Sequence, residues 1–228
     1  MAYQEQATSV PGAVLWRSVA GPAPEPFLIL PDGCLDLLWD GQRLFVAGPD
    51  TAARSGRPQP AERYVALRFA GGLGPALIGV PADELTDRCV DLDRLWPAAA
   101  ARRLTERVAG DPVGVLSRWS LEQSRRSPVD PLGTRVTALA AAGASVAMMA
   151  DHTGLGARQL HRRCLPLFGY GPRHLARVLR LLRAVERGRS GLPLAEVAIG
   201  SGYCDQAHLS REVRALTGTT PSSLLVSR

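Results

Sequence analysis

Two stretches of this chain repeat one local grammar: a short apolar helix, a turn built on glycine, and a second helix with a polar face. In the first, Ser145 can cap Val146 to His152, Thr153-Gly154-Leu155 makes the turn, and Ala157 to Cys164 form the second helix. In the second, Leu194 to Gly200 is the short helix, Ser201-Gly202-Tyr203 the turn, and Asp205 can cap Gln206 to Val213. The glycine in each turn can take the positive φ that a sharp helix-helix angle needs. Two independent occurrences are far harder to obtain by chance than one. Residues 134–228 are therefore expected to fold as an all-α unit of two helix-turn-helix pairs.

The polar faces are specific. Leu160 and Cys164 lie one turn apart and face the core, which leaves Arg158, His161 and Arg162 outside; Leu209 and Val213 take the same roles in the second pair and leave Gln206, Ser210 and Arg211 outside. His208 stands beside the capped helix start. Between the pairs, Pro172 can open a long helix with an apolar stripe of Leu175, Leu179, Leu182 and Val185, and with Arg173, Arg177 and Arg180 together on another face. Such a helix of about sixteen residues spans roughly 24 Å, enough to hold two recognition helices near the ~34 Å repeat of successive major grooves. Pro166 is expected to kink or shorten the helix that contains it.

Charge is divided unevenly along the chain. Residues 1–130 carry 14 arginines against 16 acids, a net of −2, whereas residues 131–228 carry 13 arginines against 5 acids, a net of +8. A basic half joined to one that is not basic is the electrostatic footprint of a nucleic-acid-binding part attached to another kind of part. Every basic side chain is arginine, which GC-rich coding explains and which carries no functional weight. Cys34, Cys89, Cys164 and Cys204 show no C-x-x-C pair and no histidine at ligand spacing, so no metal and no cofactor is expected. Neither a leader nor a run of the roughly 20 apolar residues that span a bilayer is present, and a cytoplasmic protein with reduced thiols is expected.

The first half reads differently. From Val14 to Val80, short apolar runs alternate with Pro and Gly: Phe27 to Leu30, Cys34 to Trp39, then Asp40-Gly41 into Arg43 to Ala47 as a hairpin, and Tyr64 to Phe69 with Val65, Leu67 and Phe69 on one face. A small antiparallel sheet or barrel follows, and after it, over 82–126, helices: one at Ala82 to Leu85, one from Pro97 to about Ala109, and one capped by Asp111 with Pro112 in its first turn. The fold class is α+β, with residues 1–127 as one unit, 128–133 as a linker and 134–228 as the other. Asp32, Cys34, Asp36 and Arg68 could line a polar pocket for a small charged or zwitterionic ligand; a turn acid, a buried thiol and a surface ion pair are the alternative.

The second pair and its tail, Gly202-Tyr203-x-Asp205-Gln206-Ala207-His208-Leu209-Ser210-Arg211 followed by Gly218-x-Thr220-Pro221, resemble the DNA-binding domain of the AraC/XylS family of transcription regulators. The first pair matches through Leu160-x-Arg162 and Gly169-x-Gly171-Pro172, and departs from the pattern at Cys164, where the family has a large aromatic. The resemblance covers about residues 134 to 225. Ile29 to Trp39 looks like the start of a poorly characterised domain found ahead of such halves. What the resemblance implies is a regulator, not an enzyme, that binds double-stranded DNA through Arg158, His161, Arg162, Arg173, Arg177, Gln206, His208, Ser210 and Arg211. Its implied partners are a small-molecule effector, a second copy in a homodimer and RNA polymerase, with no membrane. A DNA-repair or modifying enzyme using the same helices as an adaptor is the competing class, but no methyl-accepting cysteine motif, G-x-S-x-G or H-E-x-x-H is present.

Overall fold

The computed structural model describes residues 2–225. The first half holds strands β1 (Ala2–Ala7), β2 (Ala13–Val19), β3 (Phe27–Ile29), β4 (Leu35–Trp39), β5 (Leu44–Ala47), β6 (Arg54–Gly56), β7 (Arg63–Phe69) and β8 (Cys89–Asp91). Six of them form one antiparallel sheet in the order β1-β2-β7-β4-β5-β8, and β3 pairs with β6 as a separate ribbon. The α+β class and the β4–β5 hairpin are as expected. Three features are not. The sheet starts at Ala2 rather than near residue 14, and a helix, α1 (Leu73–Ile78), lies in the stretch read as strands and turns. Strand β8 likewise falls in a stretch read as helical.

The strict alternation of β7 decides which face is covered. Val65, Leu67 and Phe69 join Leu15, Leu37 and Val46 in a core closed by α1 and by α3 (Ala98–Gly110) and α4 (Pro112–Arg126), through Leu77, Leu104, Val108, Leu116 and Trp119; the four-residue α2 (Leu92–Leu95) adds Leu92. Each fully buried side chain of this kind contributes about 1.5–3 kcal/mol. The opposite face carries a smaller cluster of Trp16, Leu38 and Ala66, with Phe45 and Tyr64 against it. Asp111 accepts from the Gly114 amide and Pro112 opens α4, which explains its sharp start.

The second half is helical throughout: α5 (Pro131–Ala141), α6 (Val146–Thr153), α7 (Ala157–Phe168), α8 (Pro172–Gly188), α9 (Leu194–Ser201), α10 (Gln206–Thr217) and α11 (Pro221–Leu225). Residues 226–228 of the expected C-terminal unit lie outside the described residues. Helix α5 starts at Pro131, three residues before the expected Thr134, because Asp130 accepts from the Leu132 amide and caps it. Ser145 and Asp205 cap α6 and α10 by accepting from Met148 and His208. Gly154 and Gly202 end α6 and α9 at φ of 67° and 87°, a conformation an L side chain adopts only with strain. Helix α7 runs on past Pro166 to Phe168, so the proline does not shorten it; Pro166 is exposed and the chain has only two helical residues beyond it.

One helix serves two cores. The first half of α8 gives Leu175 and Val178 to a cluster with Val136, Met149, Leu160, Cys164 and Phe168; its second half gives Leu181, Ala184 and Val185 to a cluster with Val197, Tyr203, Leu209 and Val213. The expected stripe of Leu175, Leu179, Leu182 and Val185 is corrected accordingly: Leu179 and Leu182 are only half-buried, and the buried line runs through Val178, Leu181 and Ala184. A stripe that turns from one neighbour to another along a helix departs from the single-face period that periodicity assumes.

The two halves touch along a seam that reaches both helical pairs. The Ala53 amide donates to the Leu216 carbonyl at the end of α10 at 2.7 Å, and the Thr86 hydroxyl donates to the Gly169 carbonyl between α7 and α8 at 3.1 Å. Leu30 packs on the second cluster, and Gly71 and Gly72 lie against Gly133 of α5.

Candidate nucleic-acid interface

Helices α7 and α10 each bury one apolar line and expose the rest. Leu160, Cys164, Leu209 and Val213 are fully buried, while Arg158, His161, Arg162, Gln206 and Arg211 are exposed. Burial pushes the Cys164 thiol up to about 12, so it packs as a small hydrophobe. Ser210 is half-buried and donates back to the Gln206 carbonyl at 2.9 Å, which commits its proton but leaves its lone pairs free. The exposed guanidiniums of Arg158, Arg162 and Arg211 can make the paired hydrogen bonds that guanine O6 and N7 accept, and the Gln206 amide suits adenine.

Neighbouring side chains hold these two helices to their frame. Arg163 donates to Asp130 at 2.7 Å and ties α7 to the start of α5. The ring of His161 packs so closely on Gly171 that a side chain there would collide with its Nδ1. Nδ1 of His208 accepts the Cys204 amide at 3.3 Å, and the ring stands edge-on to Tyr203.

Arg177, which the resemblance implies as a DNA contact, is engaged within the protein. Its guanidinium donates twice to Glu212, at 2.8 and 3.3 Å, and so braces α8 against α10. Burial opposes ionisation of Glu212, yet the hydrogen bonds and charge of Arg177 outweigh it and hold the carboxyl below its ordinary value. Arg173 is exposed, and Arg180 lies over the Tyr203 ring at 5.5 Å.

The sequence reading missed Arg183. It donates to the Ala140 and Ala141 carbonyls at the end of α5 and to the Ser201 carbonyl at the end of α9, so one cation satisfies the open ends of two helices. Its position on α8, among arginines of similar appearance, gives no signal of this role.

Asp32, Cys34, Asp36 and Arg68 come together as an ion-pair cluster around the Arg68 guanidinium, the alternative to an open ligand pocket. Arg68 Nε lies 3.4 Å from both Asp32 and Asp36, its NH1 is 3.5 Å from Glu5, and Trp16 Nε1 donates to Asp36 at 2.8 Å. The Cys34 amide donates to Asp32 Oδ1, and burial, with the two nearby carboxylates, pushes its thiol well up, which leaves it protonated rather than reactive. The narrow void beside Cys34, between Phe69 and Phe168, is only about 10 Å³, room for no more than a water.

Three carboxyls share one guanidinium here, and this makes stability depend on pH. Burial, opposed by the Arg68 charge and reinforced by Asp32, pushes Asp36 from 3.8 up to about 7. A carboxyl raised on folding binds its proton more tightly in the folded chain, so its stabilising contribution is full below pH ~3.8 and is lost as pH rises through ~7. Asp36→Asn should flatten the fall in stability over that window, read as urea midpoints at successive pH values. An unchanged slope would remove Asp36 as its source.

With this geometry in view, comparison with known proteins adds two matches. Residues 149–226 match a family model described as a helix-turn-helix domain. That span includes both α7 and α10. Residues 13–91, from β2 to β8, match a model described as a domain of unknown function, DUF6597.

The solved structures similar to this chain include a probable AraC family transcriptional regulator from Rhodopseudomonas palustris, at 21% identity and TM-score 0.38 over 42% of this chain and 96% of that one. ToxT from Vibrio cholerae aligns at 10% identity and TM-score 0.48 over 99% of this chain and 98% of its own. The C-terminal domain of AraT, a response regulator from Geobacillus stearothermophilus, aligns at 22% identity and TM-score 0.41 over 45% and 89%. Comparison with curated proteins gives no match. Among the described residues, no helix is long and apolar enough to cross a membrane.

Proposed function

We propose that this chain is a transcription regulator that binds duplex DNA by placing α7 and α10 in two successive major-groove segments, under the control of a signal received by residues 1–127. The observation that carries the reading is the pair of helices with exposed polar faces, each set by a glycine turn, on a single 17-residue helix about 25 Å long. Arg183 supports it by tying α9 of the second pair to α5, which packs in the same core as the first pair. The net charge of +8 over residues 131–228 supplies the sequence-independent attraction that a DNA phosphate backbone rewards. Arg158, Arg162, Gln206 and Arg211 are the base-reading candidates. A second copy and RNA polymerase are the protein partners this reading implies.

The test is selection of bound duplexes from a random pool by the full chain, with and without candidate metabolites. An enriched motif with two half-sites about one helical turn apart is expected; no enrichment under any condition would end the reading. On the selected duplex, Arg211→Ala should weaken binding by about 2 kcal/mol and relax preference at one base pair. Equal weakening on selected and random duplex would assign Arg211 to the backbone instead.

A further inference from the structure

A cleft of about 680 Å³ opens between the two helical pairs. Its floor is α8, through Arg173, Arg177 and Arg180; one wall is His161 of α7, and the other is His208 and Glu212 of α10. None of Arg158, Arg162, Gln206 and Arg211 lines it, so the groove-reading candidates remain outside. We propose that this cleft holds the sugar-phosphate backbone of the duplex where it passes between the two groove segments. The inference rests on the DNA-binding reading above and adds to it a site and its ligand chemistry, the phosphodiester anion.

The donors are already arranged for such an anion. Glu212 cancels the charge of Arg177 and fixes the spacing of α8 and α10, which leaves Arg173 and Arg180 as the uncompensated cations. Arg173 is exposed and makes no ion pair among the described residues. Arg180 uses the face of its guanidinium on Tyr203, and the N–H groups at its edge remain available for phosphate oxygens. His208 adds a third donor. Because its Nδ1 accepts the Cys204 amide, its neutral ring carries the proton on Nε2, a donor held in place by the Tyr203 edge contact. An anion with two unbridged oxygens suits two forks and one N–H better than a base edge does, since bases present mixed donors and acceptors.

The experiment uses the full chain and its selected duplex, with single phosphates replaced in turn by uncharged methylphosphonates. Neutralising the linkages between the two groove segments should weaken the wild type about tenfold, and should weaken an Arg173→Gln/Arg180→Gln variant less than about twofold, since the contact is already gone. Arg173→Gln alone, at an exposed position, gives a smaller change of the same sign if the double variant folds poorly. Equal losses in wild type and variants, or losses confined to linkages outside the central segment, would overturn the proposal while leaving the DNA-binding reading intact. Inorganic phosphate at matched ionic strength should compete no better than chloride; strong competition would make this a site for free anions instead. Failure to enrich any duplex would sink the DNA-binding reading and this proposal with it.

Discussion

Replacing Gly133 by alanine is expected to destabilise the protein by about 3 kcal/mol, although alanine is the better helix former by about 1 kcal/mol. Gly133 sits in the first turn of α5, where an added Cβ would lie 2.2 Å from the Gly71 carbonyl oxygen and 3.4 Å from Gly72 Cα. Both are backbone atoms of the first half and cannot swing aside. The strain therefore falls on the seam, and the variant should show earlier protease cleavage at Ser127–Asp130, between α4 and α5, and a lower urea midpoint. Gly110→Ala is the control: it ends α3 with nothing within 4 Å of the new methyl and should be neutral or slightly stabilising. If Gly133→Ala were as stable as Gly110→Ala, the halves would not be in the close contact described.

Phe168→Ala should cost about 4 kcal/mol, a large share of the 5–15 kcal/mol that holds a typical domain. Phe168 is 1% exposed, closes the core shared by α5, α6, α7 and α8, and forms one wall of the void beside Cys34. Its loss leaves a cavity that α7 cannot collapse into, because Leu160 and Cys164 already fill the adjoining turns. Chemical denaturation should report the loss directly, and Phe168→Leu should recover more than half of it. Duplex binding should fall with temperature in step with unfolding. A loss below about 1 kcal/mol would mean that the site is loosely packed.

What could be read from the sequence was whatever depends on neighbours in the chain. The caps at Asp111, Ser145 and Asp205, the glycine turns at 154 and 202, and the alternation of β7 are all local, and the structure contains them as read. Strand β1 was invisible because all six of its residues, Ala-Tyr-Gln-Glu-Gln-Ala, are exposed, so burial impresses no period of two on them. Helix α1 was masked by its own sequence, Leu-Gly-Pro-Ala-Leu-Ile, whose glycine and proline signal a loop; packing of Leu73, Leu77 and Ile78 into the sheet core overrides them.

In the candidate site the same division holds. The exposed residues of α7 and α10 follow from helical period alone. The Arg177–Glu212 brace joins residues 35 apart, and Arg183 reaches back 43 to Ala140; no pattern in the chain announces either. Asp36 comes opposite Arg68 through the pairing of β4 with β7, which are 24 residues apart at their nearest ends and whose register no local pattern announces.

The bond from Ala53 to Leu216 fixes α10 at the end farthest from Gln206. A 12-residue helix is about 18 Å long, so pivoting α10 by only about 5° around that anchor would carry Gln206 through roughly 1.5 Å. Hydrogen bonds to base edges tolerate a few tenths of an ångström. In the DNA-binding reading proposed above, slight repacking around residues 49–53 would be magnified along α10 and felt at Gln206.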